Sequence, residues 1–217
     1  VVERLLDTRL HVIIDAANSD LELQQQIEKL AAARIDMIQL RDKPLDDRLL
    51  IQRARVIRRT LDRLQATQPG IPLLIINDRP DVARASSADG VHLGQDDMAV
   101  ADARKIVGLH ALVGVSTHSI EQARQAVLDG ADYLGCGPTF PGQTKQFDTY
   151  PGPAFLEQVS AEIRLPAFAI GGITLENLGE VLETGLQRVA VAGAISNSDA
   201  PDDVAGQFQD RLLVASS

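Results

Sequence analysis

The 217-residue chain has no tryptophan, one cysteine, two methionines and an aromatic share of only 3%. Its core must therefore be aliphatic, built from Leu, Ile, Val and Ala, which suits helices packed on a buried parallel sheet. A lone Cys136 excludes an intrachain disulfide framework and a cysteine-based zinc site. It reads as a small buried hydrophobe. Positive charge is also scarce: 21 Lys and Arg face 30 Asp and Glu, for a net charge of −9. A field of that sign repels nucleic acid and anionic membranes, so neither is expected as a partner. A small anionic ligand is still compatible, because a few cations suffice for a local positive site. No apolar run is long enough to cross a bilayer and no signal peptide is visible, so a reducing cytoplasm is the expected compartment. The chain starts at Val1 rather than Met, which suits a processed chain, an excised portion or the C-terminal part of a longer protein. That choice, and any homo-oligomer, is left open by the sequence.

What the chain does have is hydrophobic residues, 45% of the total, enough for a full core. Short β-branched runs at 10–14, 36–40, 73–77, 90–93, 112–115, 133–136, 167–170 and 188–191 read as strands. Amphipathic segments separate them. In 21–33, Leu23, Ile27, Leu30 and Ala31 have the spacing of one helix face; in 46–64, Leu49, Leu50, Ala54, Ile57 and Leu61 do the same. Further helices are expected at 119–128, 153–163, 174–182 and 201–214, with Ser119 and Thr174 at cap positions and Glu121 and Glu176 in the first turns. Alternation of this kind implies parallel strands joined by right-handed crossovers. Eight such units close into a (β/α)₈ TIM barrel, expected as one domain over 1–217, since barrels of about 200–250 residues form single domains. A doubly wound sheet is disfavoured, because the first strand ends Ile14-Asp15-Ala16 with no glycine-rich dinucleotide loop.

Polar residues collect just after the strands, on the face where barrel enzymes do chemistry. The second strand ends Gln39-Leu40-Arg41-Asp42-Lys43, and alternation turns Gln39, Arg41 and Lys43 to one side while Ile38 and Leu40 face the helices. Two cations beside an amide look like an anion clamp with a nearby base reader. The third strand ends Asn77-Asp78, and Asp97 follows the fourth. These two carboxylates come from adjacent strand ends, a suitable oxygen-ligand pair for Mg²⁺ beside a diphosphate. His92, in the fourth strand, is as much a hydrogen-bonded core histidine as a substrate-lining one. His118 reads as a surface or capping residue. Ser116, after the fifth strand, has the choice of donating to a phosphate or capping. The loop after strand six, within 138–153, carries Thr144-Lys145, a hydroxyl and a cation suited to a phosphate. Gly171-Gly172 and Ala192-Gly193 follow strands seven and eight, where backbone N–H groups at helix starts face anions in many barrels.

Taken together and in this order, these motifs resemble the thiamine phosphate synthase family. The resemblance runs through nearly the whole chain, from Gln39-Leu40-Arg41-Asp42-Lys43 through Ile76-Asn77-Asp78, 89–97, Gly114-Val115-Ser116 and 135–145 to Gly171-Gly172-Ile173 and 192–196. It implies a transferase that joins a hydroxymethylpyrimidine diphosphate to a thiazole phosphate, releasing pyrophosphate. Carried over by position, Gln39, Arg41, Lys43, Asn77, Ser116 and Lys145 bind the pyrimidine diphosphate. Arg41, Lys43, Ser116 and Lys145 serve the chemical step there. Asp78 and Asp97 hold Mg²⁺, and Thr144, Gly172, Ala192 and Gly193 hold the thiazole phosphate. The family commonly has Thr where this chain has Gly142 and Ser where it has Gly193, so two hydroxyls are missing on the thiazole-phosphate side. Two competing readings are a thiazole tautomerase-like isomerase and a non-catalytic phosphate-binding barrel. The first does not need the full diphosphate and metal set, and the second predicts damaged metal ligands.

Overall fold

Period-two alternation in the strands decides the architecture. The computed structural model describes residues 1–16, 19–68, 70–142 and 150–215. Its strands are β1 (Leu10–Ile14), β2 (Met37–Leu40), β3 (Leu73–Asn77), β4 (Gly90–Leu93), β5 (Leu112–Thr117), β6 (Tyr133–Cys136), β7 (Ala167–Ile170) and β8 (Val189–Val191). Each pairs in parallel with the next, and β8 closes on β1 with Leu10 opposite Val189, so the sheet is a closed barrel. The helices among the described residues are α1 (Val2–Asp7), α2 (Asp20–Ala32), α3 (Asp47–Gln65), α4 (Pro80–Ser86), α5 (Val100–Val107), α6 (Ile120–Leu128), α7 (Gly152–Glu162), α8 (Leu178–Glu183), α9 (Gly193–Ser196) and α10 (Pro201–Val214). No helix among the described residues is long and apolar enough to cross a membrane.

The alternation divides the core in two. Val12, Ile38, Leu74, Ile76, Val91, Val113, Leu134 and Val191 face outward and meet the buried stripes of the helices, such as Leu50, Ala54, Ile57 and Leu61 of α3. Ile13, Met37, Leu73, Ile75, Leu112, Tyr133, Phe168 and Ala190 fill the barrel interior, and Leu5 of α1 joins them, so α1 covers the end where the strands begin. Glycine at 114 makes that filling feasible: a Cβ there would sit 2.1 Å from Cζ of Tyr133. The Tyr133 ring therefore occupies the space that a side chain on β5 would need.

At the strand-start end an aspartate directly precedes β2, β4 and β6, and each carboxylate ties the preceding strand. Asp36 accepts from the N–H groups of Arg9 at 2.8 Å and Leu10 at 2.9 Å. Asp89 accepts from Leu74 N–H at 2.8 Å, and Asp132 from Val113 N–H at 2.7 Å. Cations or amides complete the set: Gln209 on Asp36, Arg58 on Asp89, and Arg104 on Asp132 at 2.6 Å. Before β8 the polarity reverses, and Arg188 Nε donates to the Thr8 carbonyl at 3.0 Å. Carboxylate–backbone bonds of this kind satisfy N–H groups at strand starts that have no ladder partner.

The strand order and the barrel agree with expectation, with three differences of extent. Asp36 and Arg188 lie just outside their strands because their side chains serve the ties above. β5 runs two residues further, through Ser116 and Thr117. Among the helices, Ser119 caps α6 by accepting from Gln122 N–H at 3.3 Å. Thr174 does not cap α8. Its N–H donates to Asn177 Oδ1 at 2.8 Å, which makes 174–177 a turn and delays the helix to Leu178. Four helices, α1, α4, α5 and α9, go beyond the expectation. Each has eight residues or fewer, too short to display a repeating apolar stripe.

The Asp132 tie is testable. Asp132→Ala leaves the Val113 N–H and the Arg104 guanidinium without that acceptor, so unfolding free energy should fall by about 1–3 kcal/mol. Urea denaturation should show a lower midpoint at an unchanged slope; an unchanged midpoint would rule out this role.

Candidate active site

The strand-end face carries those predicted site residues that the structure describes, and β2 to β5 bring several of them together. Asp78 directly follows β3 in a left-handed conformation, φ +60°, that Asp tolerates better than most residues. Its N–H donates to the His92 carbonyl at 2.7 Å, continuing the β3–β4 ladder by one step. Its carboxylate pairs with Lys43 Nζ at 2.9 Å, across from the segment after β2. Asp97 lies in the turn after β4, where its carboxylate accepts from Gly94 N–H at 2.7 Å. The Asp78 carboxyl lies close enough to act on it. Partial desolvation first, and the neighbouring Asp78 carboxyl next, push the Asp97 carboxyl above its ordinary pKa, while the Gly94 N–H and Lys43 oppose the shift. Asp78, Asp97 and Lys43, drawn from three strand ends, thus form one corner.

Beside that corner, Ser116 near the end of β5 has its Oγ 2.9 Å from His92 Nε2, and its carbonyl accepts from Gln95 Nε2 at 2.6 Å. His92 is buried, and its Nδ1 lies 3.2 Å from the Tyr133 hydroxyl. Burial drives its pKa down to about 4 against an opposing pull from Asp78, so the ring is neutral at neutral pH. His92 is thus a hydrogen-bonded core residue whose Nε2 meets Ser116. His118 is half-buried and lies outside this corner. Its Nδ1 sits 2.5 Å from the Gly137 carbonyl, anchoring the start of the loop after β6. Asn77 ends β3 opposite His92, partly buried. Arg41 follows β2 with its N–H on the Ile14 carbonyl at 2.8 Å, and its guanidinium makes no hydrogen bond or ion pair among the described residues.

Gln39 is buried on the inward face of β2, only 2% exposed, with its amide nitrogen 3.2 Å from Nε2 of His11. His11 is an addition to the site that sequence reasoning does not supply. Its inward direction is readable, since it shares a face of β1 with Ile13 and alternates with Val12, but nothing in the sequence pairs it with Gln39.

The other half of the predicted site lies beyond β6, β7 and β8. Thr144 and Lys145 fall outside the described residues. Gly172 has φ +64°, and a Cβ there would meet the carbonyl oxygens of Phe140 and Pro141 at 2.6 Å. Thr139 and Phe140 donate their N–H groups to the carbonyls of Ile170 and Gly171 at 2.9 and 3.0 Å. The loop after β6 therefore lies directly on the Gly171-Gly172 turn, and glycine is required there by that close approach as well as by any anion. Ala192 and Gly193 begin the short helix α9. A Cβ on Gly142 would stand 3.3 Å from the Gly172 nitrogen, so the residue at 142 borders that N–H.

Among the described residues no group of three or more His, Cys, Asp or Glu side chains converges. The corner offers two carboxylates, an all-oxygen donor set of the kind Mg²⁺ accepts while keeping waters and taking phosphate oxygens for its remaining positions.

Comparison with known proteins bears on the fold and the family. Residues 10–195 match a family described as thiamine monophosphate synthase. The chain is 48% identical over 201 residues to a thiamine-phosphate synthase of Rhodopirellula baltica, covering 90% of this chain and 52% of that one. It is 43% identical over 202 residues to that of Halalkalibacterium halodurans, covering 92% of each. The chain thus spans about half the length of the first relative and nearly all of the second. Among solved structures, a thiamine phosphate pyrophosphorylase from Pyrococcus furiosus superposes with a TM-score of 0.80 at 29% identity, covering 100% of this chain and 99% of that one.

The carboxyl pair has a consequence for stability. A carboxyl with a raised native pKa binds its proton more tightly when folded. Its contribution is therefore present in acid and is lost as pH rises through the native value. In Asp78→Asn the repelling charge is gone and the amide can donate to Asp97. The Asp97 pKa should fall toward the ordinary carboxylate range, as followed by ¹³C carboxyl NMR, and thermal stability should rise at neutral pH relative to acid. An unmoved Asp97 titration would separate the two carboxyls.

Proposed function

The chain belongs to the thiamine monophosphate synthase family, and on that premise we propose that it joins an aminopyrimidine bearing a diphosphooxymethyl arm to a thiazole phosphate. The products are thiamine phosphate and pyrophosphate. The observation that carries the reading is the convergence of Lys43, Asp78 and Asp97 beside Ser116, with the Arg41 guanidinium uncommitted among the described residues.

In this reading the C–O bond between methylene and diphosphate breaks, and pyrophosphate leaves with the electron pair. The amino group of the pyrimidine stabilises the methylene cation left behind. The thiazole nitrogen then donates its lone pair to form the new C–N bond. Arg41, Lys43 and Lys145 neutralise charge on the departing diphosphate, and Ser116 donates its hydroxyl to a diphosphate oxygen. Lys43 reaches this anion from the corner where it pairs with Asp78. Asn77 and Gln39 supply amides to the pyrimidine and its arm. Asp78 and Asp97 would hold Mg²⁺, which when bound supplies further positive charge to the leaving diphosphate. Thr144 and the N–H groups of Gly172, Ala192 and Gly193 hold the thiazole phosphate, with backbone donors in place of the hydroxyls that Gly142 and Gly193 lack. Holding the two substrates in register supplies the proximity contribution. No step calls for a general base. The proposal includes a cytoplasmic setting, where Cys136 stays reduced.

Purified protein given Mg²⁺ and both phosphorylated substrates should release pyrophosphate and form thiamine phosphate in equal amounts; no product under those conditions would end this reading. Asp78→Ala should lower turnover by about 10²–10³-fold, the scale of losing one preorganised electrostatic contact. Full activity in that variant would remove Asp78 from the metal site.

A further inference from the structure

We infer that His11 fixes which way the Gln39 amide faces, and thereby makes the site select an amino-bearing pyrimidine over its oxo counterpart. The inference rests on the substrate reading above and deepens it.

His11 lies on the inward face of β1 and is 1% exposed. Its ring makes edge contacts with Phe168 at 5.7 Å and 80°, Tyr133 at 6.2 Å and 71°, and His92 at 6.3 Å and 75° between centroids and planes. Three rings on different strands therefore hold its plane. At 3.2 Å the contact between His11 Nε2 and Gln39 Nε2 is a hydrogen bond only if one nitrogen donates and the other accepts. An amide nitrogen has no acceptor capacity, so Gln39 donates and His11 Nε2 accepts. The His11 proton then resides on Nδ1. Burial and the nearby His92 hold His11 well below its ordinary pKa, which keeps the ring neutral with one acceptor nitrogen.

The opposite amide orientation would set Gln39 Oε1 against His11 and require the other tautomer, Nε2–H. The two choices are coupled, so the histidine tautomer and the direction of the glutamine amide are set together. With its nitrogen held by His11, Gln39 has Oε1 left for a ligand, and Oε1 accepts no hydrogen bond among the described residues. A ring amino group donates to that oxygen. An oxo group in its place puts oxygen against oxygen in a buried site, where an unmet polar group costs most. Sites built around a substrate N–H or O–H discriminate strongly against analogues that lack it.

The first test needs no substrate. In ¹⁵N-histidine-labelled protein, His11 should show an unprotonated Nε2 and a protonated Nδ1. The reverse pattern would overturn the inference whatever reaction the protein performs. The second test is functional. His11→Phe keeps a ring in the cage but removes the acceptor. KM for the pyrimidine diphosphate should rise about tenfold, the scale of one net hydrogen bond, with KM for the thiazole phosphate unchanged. The preference in kcat/KM for the amino over the oxo substrate should fall at least about tenfold. His11→Gln offers an acceptor oxygen and should restore part of that preference, which a merely structural role for the ring would not do. In the Gln39→Leu background, His11→Phe should cause no further loss of preference. An unchanged preference in His11→Phe, with the expected tautomer in the parent protein, would overturn the selectivity inference alone. Absence of any thiamine phosphate from the parent protein would instead overturn the substrate reading and leave the tautomer measurement to decide the His11–Gln39 bond.

Discussion

The space inside a small parallel barrel is the constraint on which the mouth of this protein depends. Inward side chains must fill it without overlap, so a large ring on one strand demands a small residue on its neighbour. Gly114 yields its volume to Tyr133, and Gly135 faces the His92 ring, 3.2 Å from where its Cβ would stand. The rings so admitted carry the polar residues above them. Tyr133 meets His92, His92 meets Ser116, and His11, braced by Phe168 and Tyr133, meets Gln39. Each polar side chain in these chains of contact is thus held by a neighbour whose own rotamer is set by packing, the condition for a preorganised site.

Charge is distributed between the two ends of the barrel by a different logic at each. At the strand starts, aspartates are neutralised by N–H groups and arginines, and the arrangement serves stability. At the strand ends, Asp78 lies close enough to Asp97 to raise the Asp97 carboxyl's pKa. Two carboxyls so placed oppose each other until a cation or a proton lies between them. Lys43 offsets part of that repulsion. The left-handed conformation of Asp78 adds local strain at the same residue. Most of the chain's cations lie on the outer helices, and Lys43 is the one that the ion pairs place at this corner.

The half of the site beyond β6 has fewer side-chain donors and more backbone. Gly171 and Gly172 are constrained by the loop that rests on them, so their glycine character has a packing cause as well as a binding one. Gly142 borders the Gly172 N–H and Gly193 opens α9. In the proposed reading, where the family commonly places hydroxyls at those two positions, the anion rests on main-chain N–H groups, whose positions the turns hold without side-chain rotamers to order.

Much of this is legible from residue order. Strand positions follow from β-branched runs, and barrel closure from eight repeats of one unit. The collection of Gln39, Arg41, Lys43, Asn77, Asp78, Asp97 and Ser116 at strand ends follows from alternation and from position after each strand. Short helices escape such reading, because a turn or two displays no period, and Thr174 misleads, because a cap and a turn use the same residue type. The aspartates before β2, β4 and β6 are not recognisable as a set, since their role depends on which strand lies alongside. Sequence by itself determined the strand count, the parallel order and the face on which chemistry-bearing residues sit, because these depend on local periodicity. Only the tertiary structure decided that Asp78, Asp97 and Lys43 share one corner and that His11 lies against Gln39. Those contacts form between strands far apart in the chain, and their geometry is set by how the interior rings pack.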